Sequence, residues 1–359
     1  MNLELIQLLR CPACGEVSLR AVDFSEDGRS EIYNGVVMCG SCPAWYPIED
    51  ELLELLAGAL AYRDDRRRFW DQHSGRLTAL GLTWDSTDLD QVRMAPQKHQ
   101  QAHSDWYAGN TLQTYSDYER LPFWQAVDAV TVSCWKEYLG QQQLVLDLGC
   151  AQGRSTSTLG DLDIRVIGFD VSKVLVRQAM RREDRAQWRA RTTFFVGDAA
   201  RLPFRDEAFH AVLVYGVLHH LTDPQSTVRD IARVLTPGGF CFALENNKTI
   251  LRVIFDLLQR ALPAWYEEAG EHALMSVSEL EEWFRSAGLT AEVETSIFVP
   301  PHLLNLLSPS TGEWIVRRTD RLLRSVALTR RQGGLVRATA RKCARSDEAF
   351  ERPTADRLA

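Results

Sequence analysis

The stretch from Leu144 to Thr156 combines residue types that could bind a nucleotide-like ligand. An apolar run leads into a turn with Gly149 and Gly153, and a Ser/Thr-rich helix start follows. Glycine has no Cβ, so these positions allow a sharp turn and a close approach of backbone to a ligand. Asp170 follows the next apolar run, 21 residues after Gly149. Carboxylates at a spacing of about 20 residues reach ribose hydroxyls, so the pattern indicates an adenosine-containing cofactor.

Four cysteines near the start of the chain have the spacing of metal ligands. Cys11 and Cys14 form one C-x-x-C pair, Cys39 and Cys42 form a second, and 24 residues separate the pairs. Four thiolates in this arrangement suit a tetrahedral, structural Zn²⁺ site. Two disulfides are the alternative interpretation, but the first residues do not resemble a signal peptide, and we therefore favour zinc.

The elements that must position these residues alternate between strands and helices. Apolar runs that we interpret as strands end near Leu148, Phe169, Val196, Tyr215 and Glu245. Helices are predicted between them at 173–189 and at 223–235, the second with Asp223 as N-cap and Pro224 as first residue. This alternation predicts a parallel, doubly wound sheet with its ligand at the carboxyl ends of the strands.

The glycine spacing does not fit a dinucleotide site. Ala151 stands between the two glycines, and Arg154 occupies the place of a third. The residues instead resemble the first motif, Asp-x-Gly-x-Gly-x-Gly, of the class I S-adenosylmethionine-dependent methyltransferases. Asp147, Gly149 and Gly153 match that motif, and the resemblance covers roughly residues 97–342. It implies a Rossmann-like, seven-stranded α/β sheet with a helical cap, and S-adenosylmethionine as cofactor.

The resemblance also implies a set of cofactor-binding residues. Asp170 is expected to hold the ribose hydroxyls, Asp198 the adenine amino group, and the loop at 147–153 the methionine part. The complete expected set is Asp147, Gly149, Ala151, Gly153, Asp170, Val171, Asp198, Ala199 and Tyr215. Tyr107, Tyr115 and Tyr118 are further candidates for contact with the sulfonium end.

His219 and His220 follow the fourth strand, at an end expected to face the methyl group. Methyl transfer is an in-line displacement, so the enzyme positions the nucleophile and removes a proton if the acceptor is a hydroxyl or an amine. Similar histidine pairs in small-molecule O-methyltransferases include a general base, and Glu245 is expected to orient it. A structural role for both histidines is the alternative.

The residues around the cysteines are similar to the small zinc-ribbon proteins that activate several methyltransferases, except that Glu51 stands where those proteins usually have glycine. A zinc ribbon also begins a bacterial 23S rRNA guanine methyltransferase, so RNA stays open as a substrate. We expect four parts, listed here in chain order. They are a zinc ribbon at 1–58, a linker or helical segment at 59–96, a methyltransferase domain at 97–345 with cap insertions at 246–290 and 300–332, and a disordered tail at 346–359.

The composition predicts a soluble, cytoplasmic protein. Hydrophobic residues make up 45% and the net charge is −7, which argues against a chain wrapped broadly by nucleic acid. Between Trp314 and Arg345, however, there are ten Lys or Arg and one acid. We interpret these as residues that flank an edge strand at 333–340; an RNA-binding patch is the alternative.

The sequence therefore predicts transfer of a methyl group from S-adenosylmethionine to a small or medium-sized, partly apolar metabolite. An RNA base methyltransferase is the first alternative, with Arg317, Arg318, Arg330 and Arg331 as candidate RNA contacts. A non-catalytic, cofactor-binding partner subunit is the second. The acceptor atom, a protein partner and the oligomeric state stay open.

Overall fold

The structure is a computed structural model that describes residues 1, 3–25, 31–84, 96–110, 119–182, 191–250, 253 and 274–344. The strands are β1 Leu19–Asp23, β2 Gly35–Cys39, β3 Trp45–Glu49, β4 Leu52–Leu55, β5 Leu144–Leu148, β6 Arg165–Asp170, β7 Thr192–Gly197, β8 Phe209–Tyr215, β9 Leu235–Asn246, β10 Leu289–Ser296 and β11 Leu335–Lys342. The helices are α1 Arg63–Ala79, α2 Pro96–Asn110, α3 Pro122–Lys136, α4 Arg154–Thr158, α5 Lys173–Arg181, α6 Pro224–Val234, α7 Val277–Ser286, α8 Pro301–Leu304 and α9 Pro309–Arg324. Three predictions fall outside the described residues: the tail at 346–359, residues 251–252 and 254–273 of the cap insertion at 246–290, and the side chains of Tyr107, Tyr115 and Tyr118.

Seven strands form the predicted doubly wound sheet, in the order β7-β6-β5-β8-β9-β11-β10. β7, β6, β5, β8 and β9 are mutually parallel, whereas β11 runs antiparallel to both β9 and β10. The central strand β5 is buried over 145–148, as expected for a parallel strand covered on both faces. The predicted Rossmann-like α/β fold is confirmed.

Local capping signals fix several helix ends. The Asp223 side chain accepts a hydrogen bond from Ser226 N at 2.9 Å and starts α6, with Pro224 as its first residue. Ser276 and Glu279 form a capping box at the start of α7. The helix predicted at 173–189 is present as α5 and ends at Arg181, because Arg182 has non-helical backbone angles; residues 183–189 lie outside the described residues.

The last strand lies in a different place from the one we expected. β11 lies between β9 and β10 rather than at an edge of the sheet. Its residue Arg337 is buried and pairs with Glu294 of β10. Arg337 therefore neutralises the carboxylate of Glu294 on the neighbouring strand. The expectation that the basic residues protect an exposed edge strand was wrong.

The four N-terminal strands extend the same sheet. β1 to β4 form an antiparallel meander, and β4 pairs in parallel with β7, with Leu53 opposite Phe195 and Leu55 opposite Gly197. Among the described residues the sheet therefore has 11 strands. We call β1–β4 with their cysteines the zinc ribbon.

One hydrophobic core joins the ribbon to the larger sheet. Leu9, Tyr46 and Ile48 of the ribbon part are buried in the same cluster as Phe169 and Phe195. Within the part of the chain that the structure describes, no helix is both long and apolar enough to cross a membrane.

Candidate active site and metal centre

The turn after β5 has the left-handed backbone that its sequence predicts. The φ angles of Gly149, Ala151 and Gly153 are 70°, 45° and 81°. A Cβ on Gly149 would lie 2.4 Å from Val217 Cγ2, so only glycine fits there. Ala151 tolerates its positive φ and replaces the expected middle glycine. The turn therefore packs its backbone directly against the segment that carries the two histidines.

Asp170 connects this turn to the end of β6. Its Oδ2 accepts a hydrogen bond from Ala151 N at 3.0 Å, and its Oδ1 accepts one from Ser172 N at 2.8 Å. Burial raises the pKa of Asp170 to about 6 although both backbone bonds favour the ionised form. Each carboxylate oxygen has a second lone pair, so Asp170 can accept further bonds from a ligand.

Asp147 lies fully buried in β5. Thr156 Oγ1 donates to its Oδ2 at 2.6 Å, but its Oδ1 has no hydrogen-bond partner among the described residues. Burial raises the pKa of Asp147 to about 6. Buried polar atoms normally have a hydrogen-bond partner, so Asp147 Oδ1 is well placed to accept a hydrogen bond from a bound ligand.

Asp198 follows β7 at the same edge of the sheet. Its Oδ1 accepts a hydrogen bond from Ala200 N at 2.8 Å, and burial raises its pKa. Thr227 of α6 donates to Ala199 O at 3.2 Å. The sheet therefore brings Asp147, Asp170 and Asp198 together at the carboxyl ends of three neighbouring strands.

Tyr215, which the sequence predicts as a cofactor-binding residue, lies in a cluster of polar side chains. Its hydroxyl donates to Asp128 Oδ1 at 3.0 Å, and the Arg154 guanidinium binds the same carboxylate at 2.7 Å. The Arg154 guanidinium also lies over the Trp124 ring, 4.7 Å from the ring centroid. Tyr215 thus uses its polar atom within the fold, and only its backbone and ring remain for a ligand. The sequence signal for this cluster is the arginine in the place of the third glycine.

His219 and Glu245 form a buried pair at the ends of β8 and β9. His219 Nδ1 lies 2.7 Å from Glu245 Oε2, and Glu245 Oε1 accepts hydrogen bonds from Val217 N at 2.9 Å and Leu218 N at 2.8 Å. Glu245 therefore uses one oxygen for two backbone N–H groups and presents the other to His219, where it can accept a hydrogen bond from Nδ1. The His220 ring lies beside it, with 4.0 Å between ring centroids.

The four predicted metal ligands converge in the zinc ribbon. The sulfur atoms of Cys11, Cys14, Cys39 and Cys42 all lie within 4.8 Å of one another. The Cys11–Cys42 and Cys14–Cys39 sulfur distances are 3.7 and 3.6 Å. A tetrahedron with Zn–S bonds of about 2.3 Å requires sulfur distances of about 3.8 Å. All four cysteines are free, so this donor set fits a closed Zn²⁺ site.

The turn between β3 and β4 explains how the ribbon accommodates Glu51. Asp50 and Glu51 both have positive φ, 51° and 67°, as a tight two-residue hairpin turn requires. Glu51 N donates to Tyr33 O at 2.8 Å, which holds this turn in place. The ribbon therefore forms with glutamate where glycine is usual.

The comparisons with known proteins agree with this geometry. The methyltransferase domain family matches residues 146–243. The demethylmenaquinone methyltransferase of Mycolicibacterium vanbaalenii is 30% identical over 165 residues, which cover 44% of this chain and 69% of that protein. The 27-O-demethylrifamycin SV methyltransferase of Amycolatopsis mediterranei is 30% identical over 158 residues, 41% of this chain and 54% of that protein. The chain spans about half the length of several curated relatives that it matches.

A solved complex of the Haloferax volcanii Trm112 methyltransferase activator with a methyltransferase is also similar. It has 21% sequence identity and a TM-score of 0.46, and the match covers 67% of this chain and 97% of that chain.

The chain belongs to the class I S-adenosylmethionine-dependent methyltransferases. Its site fits the cofactor of that family in two respects. Only glycine fits at position 149, in the turn that follows β5 at the carboxyl edge of the sheet. Asp147 Oδ1 is also a buried acceptor without a partner among the described residues.

Proposed function

We propose that this chain transfers a methyl group from S-adenosylmethionine to a hydroxyl or amine of a small or medium-sized, partly apolar metabolite. The observation that carries the proposal is the His219–Glu245 pair, which lies against the glycine turn through the contact between Gly149 and Val217. A positioned base is needed when the acceptor must lose a proton, and an oriented histidine meets that need.

The geometry of the carboxyl edge supports the cofactor residues that we propose. Asp170 would accept the ribose hydroxyls, since its two oxygens are already oriented by Ala151 N and Ser172 N. Asp198 would accept the adenine amino group with Ala199 beside it, and Asp147 would accept the ammonium of the methionine part. The bound cofactor supplies an electrophilic methyl group on a sulfonium. The residues of the chain orient it and exclude water.

The role of each catalytic candidate follows from its contacts. Glu245 would hold His219 in one tautomer through the 2.7 Å bond to Nδ1. Nε2 of His219 would then accept the proton of the nucleophile as the methyl group is displaced. His220, whose tilted ring lies 4.0 Å from this ring between centroids, would limit its rotation.

The substrate class is supported by two kinds of observation. The relatives named above act on demethylmenaquinone and on a rifamycin, both small molecules with apolar parts. Exposed apolar side chains follow the carboxyl ends of β9 and β10, at Ile250, Leu303 and Leu306. An apolar rim at this edge would favour a partly apolar acceptor.

RNA is less well supported as the acceptor. Several arginines of the C-terminal basic run are paired within the protein: Arg317 with Glu313, Arg324 and Arg337 with Glu294, and Arg331 with Glu281. Paired guanidinium groups contribute less to phosphate binding than free ones.

Methyl incorporation from labelled S-adenosylmethionine tests the proposal. We would offer the purified chain phenols, quinols, amines and RNA fractions, and then repeat the productive reaction with His219→Ala and Glu245→Gln. Because general base catalysis contributes about 10²- to 10⁴-fold, we expect a loss of that order in kcat while cofactor affinity is kept. His210→Ala is the matched control, since His210 is exposed at the opposite end of β8.

Three outcomes would contradict the proposal. Full activity of His219→Ala would remove the base role. Labelling of RNA alone would favour the RNA alternative. No incorporation into any acceptor, together with co-purification of a second protein, would favour a non-catalytic partner subunit.

A further inference from the structure

Two side chains outside the predicted site lie directly behind the loop Asp170–Ser172. Tyr62 immediately precedes α1, and Asp105 lies on α2. The Tyr62 hydroxyl donates to Asp105 Oδ2 at 2.8 Å, and the Ser172 hydroxyl donates to Asp105 Oδ1. One carboxylate therefore connects the segment after the zinc ribbon to the loop after β6.

The phenol oxygen of Tyr62 also holds the backbone that follows this loop. Lys173 N donates to it at 2.9 Å. Lys173 is the first residue of α5, and the first N–H groups of a helix have no partner within the helix. Gln101 donates to Val171 O at 3.3 Å and to Leu60 O at 2.9 Å. Backbone or side-chain atoms of residues 171, 172 and 173 are thus all held from the same side.

The same contacts reach the last strand of the ribbon. Tyr62 N donates to the buried Glu54 of β4 at 3.3 Å, and Arg66 of α1 binds that carboxylate at 2.9 Å. The Lys173 ammonium lies 3.5 Å from Glu54 and 2.7 Å from Asp65. The position of Tyr62 is therefore fixed by buried charges on both sides of the junction between ribbon and sheet.

These contacts determine the orientation of the carboxylate that would hold the ribose. Ser172 N donates to Asp170 Oδ1, so any movement of Ser172 moves the bond that orients Asp170. A loop that is already ordered before binding loses less conformational freedom when the ligand arrives. Tyr62 and Asp105 can thus affect cofactor affinity without reacting with anything.

We propose that Tyr62 and Asp105 are positioning residues that pre-organise the Asp170–Ser172 loop for the adenosine half of the cofactor. The inference rests on the proposed function, because it takes S-adenosylmethionine and S-adenosylhomocysteine as the ligands. It assigns a role in cofactor binding to Tyr62 and Asp105, which lie between the zinc ribbon and β5 and belong to none of the predicted motifs.

Calorimetric titration of S-adenosylhomocysteine and of 5′-methylthioadenosine into Tyr62→Phe and Asp105→Asn tests this role. Tyr62→Phe removes the hydrogen bonds to Asp105 and from Lys173 N, and Asp105→Asn weakens those from Tyr62 and Ser172. Both variants keep the approximate size of the side chain. We expect both ligands to bind about tenfold more weakly, because a bond to a charged group is worth about 1.5 kcal/mol. The KM for S-adenosylmethionine should rise with kcat unchanged, and the Lys173 amide should exchange faster in Tyr62→Phe.

Arg177→Ala is the matched control. Arg177 of α5 pairs with Asp50 of the ribbon at 3.1 Å, so this variant removes a contact across the same junction without touching the loop. It should bind both ligands as the wild type does. Folded Tyr62→Phe and Asp105→Asn proteins that bind within about twofold of wild type would overturn the inference. A wild-type chain that does not bind either ligand would instead overturn the proposed function, and with it the premise of this role.

Discussion

Asp147 and Asp170 are the residues whose protonation should control cofactor binding. Burial raises the pKa of each to about 6 in the chain without ligand, above the usual value near 3.8. These two groups therefore stabilise the free fold most below pH 4, and this contribution is lost as the pH rises through 6. Cofactor binding instead favours the ionised form of both carboxylates, because ribose hydroxyls and an ammonium group donate hydrogen bonds to them.

We accordingly expect the affinity for S-adenosylhomocysteine to fall as the pH drops below 6. The loss should approach about tenfold per pH unit for each carboxylate that must lose a proton. Titrations between pH 5 and 8 would measure it, and binding below pH 7 should release protons to the buffer. Asp170→Asn should show a flatter dependence, whereas an affinity independent of pH in the folded wild type would contradict the assignment.

At the residue scale, the sequence predicted positions better than environments. The acids at the strand ends and the four cysteines could be recognised because glycine turns, strand ends and C-x-x-C pairs have fixed local spacing. The environment of Tyr215 could not be recognised in this way, because its partners Asp128 and Arg154 lie 87 and 61 residues away in sequence. Its hydroxyl binds these residues because a buried phenol needs a hydrogen-bond partner.

At the scale of elements, the C-terminal arginines show how a local pattern was misinterpreted. A run of basic residues around a short apolar strand predicts a protected edge, but the pairing of β11 depends on β9 and β10, which come earlier in the chain. Glu294 accepts ion pairs from Arg337 of β11 and Arg324 of α9, and these pairs join three elements. The start of α6 was predictable, since it depends on a local cap and a proline, but the order of the last strands was not.

Glu294→Gln should therefore destabilise the fold. It leaves the buried Arg337 without its charged partner, and we expect a loss of about 2 kcal/mol in the free energy of unfolding, because Glu294 itself is partly exposed. Denaturant unfolding would measure the loss. Glu292→Gln, two residues earlier on the same face of β10 and exposed, should change the stability by less than about 0.5 kcal/mol. Equal effects of the two substitutions would contradict this account of the ion pairs.

At the scale of the whole molecule, the zinc ribbon is continuous with the catalytic sheet. β4 pairs with β7, and the ribbon part shares a hydrophobic core with β6 and β7. The sequence indicated a ribbon and a Rossmann-like sheet separately, because each has its own local motifs. It gave no sign that β4 would pair with β7, since that pairing depends on residues about 140 positions apart.

Loss of zinc should consequently affect the whole chain. We expect one Zn²⁺ per chain by metal analysis, and a single melting transition that falls by roughly 5 to 10 °C in Cys39→Ser or after chelation. Cys343→Ser is the control, because Cys343 is exposed and does not belong to the cluster. A separate, early transition for the ribbon with an unchanged main transition would show that the two parts unfold independently.

The binding of S-adenosylhomocysteine to the zinc-loaded chain tests the central claim most directly. Calorimetry would compare the wild type with Asp170→Ala, and with Asp161→Ala as a control, since Asp161 is exposed and pairs only with Lys136 among the ion pairs of the described residues. We predict that the wild type and Asp161→Ala bind equally well and that Asp170→Ala binds at least about tenfold more weakly, because it loses two charge-assisted hydrogen bonds. A folded wild-type chain that does not bind, or Asp170→Ala that binds as well as wild type, would contradict the account.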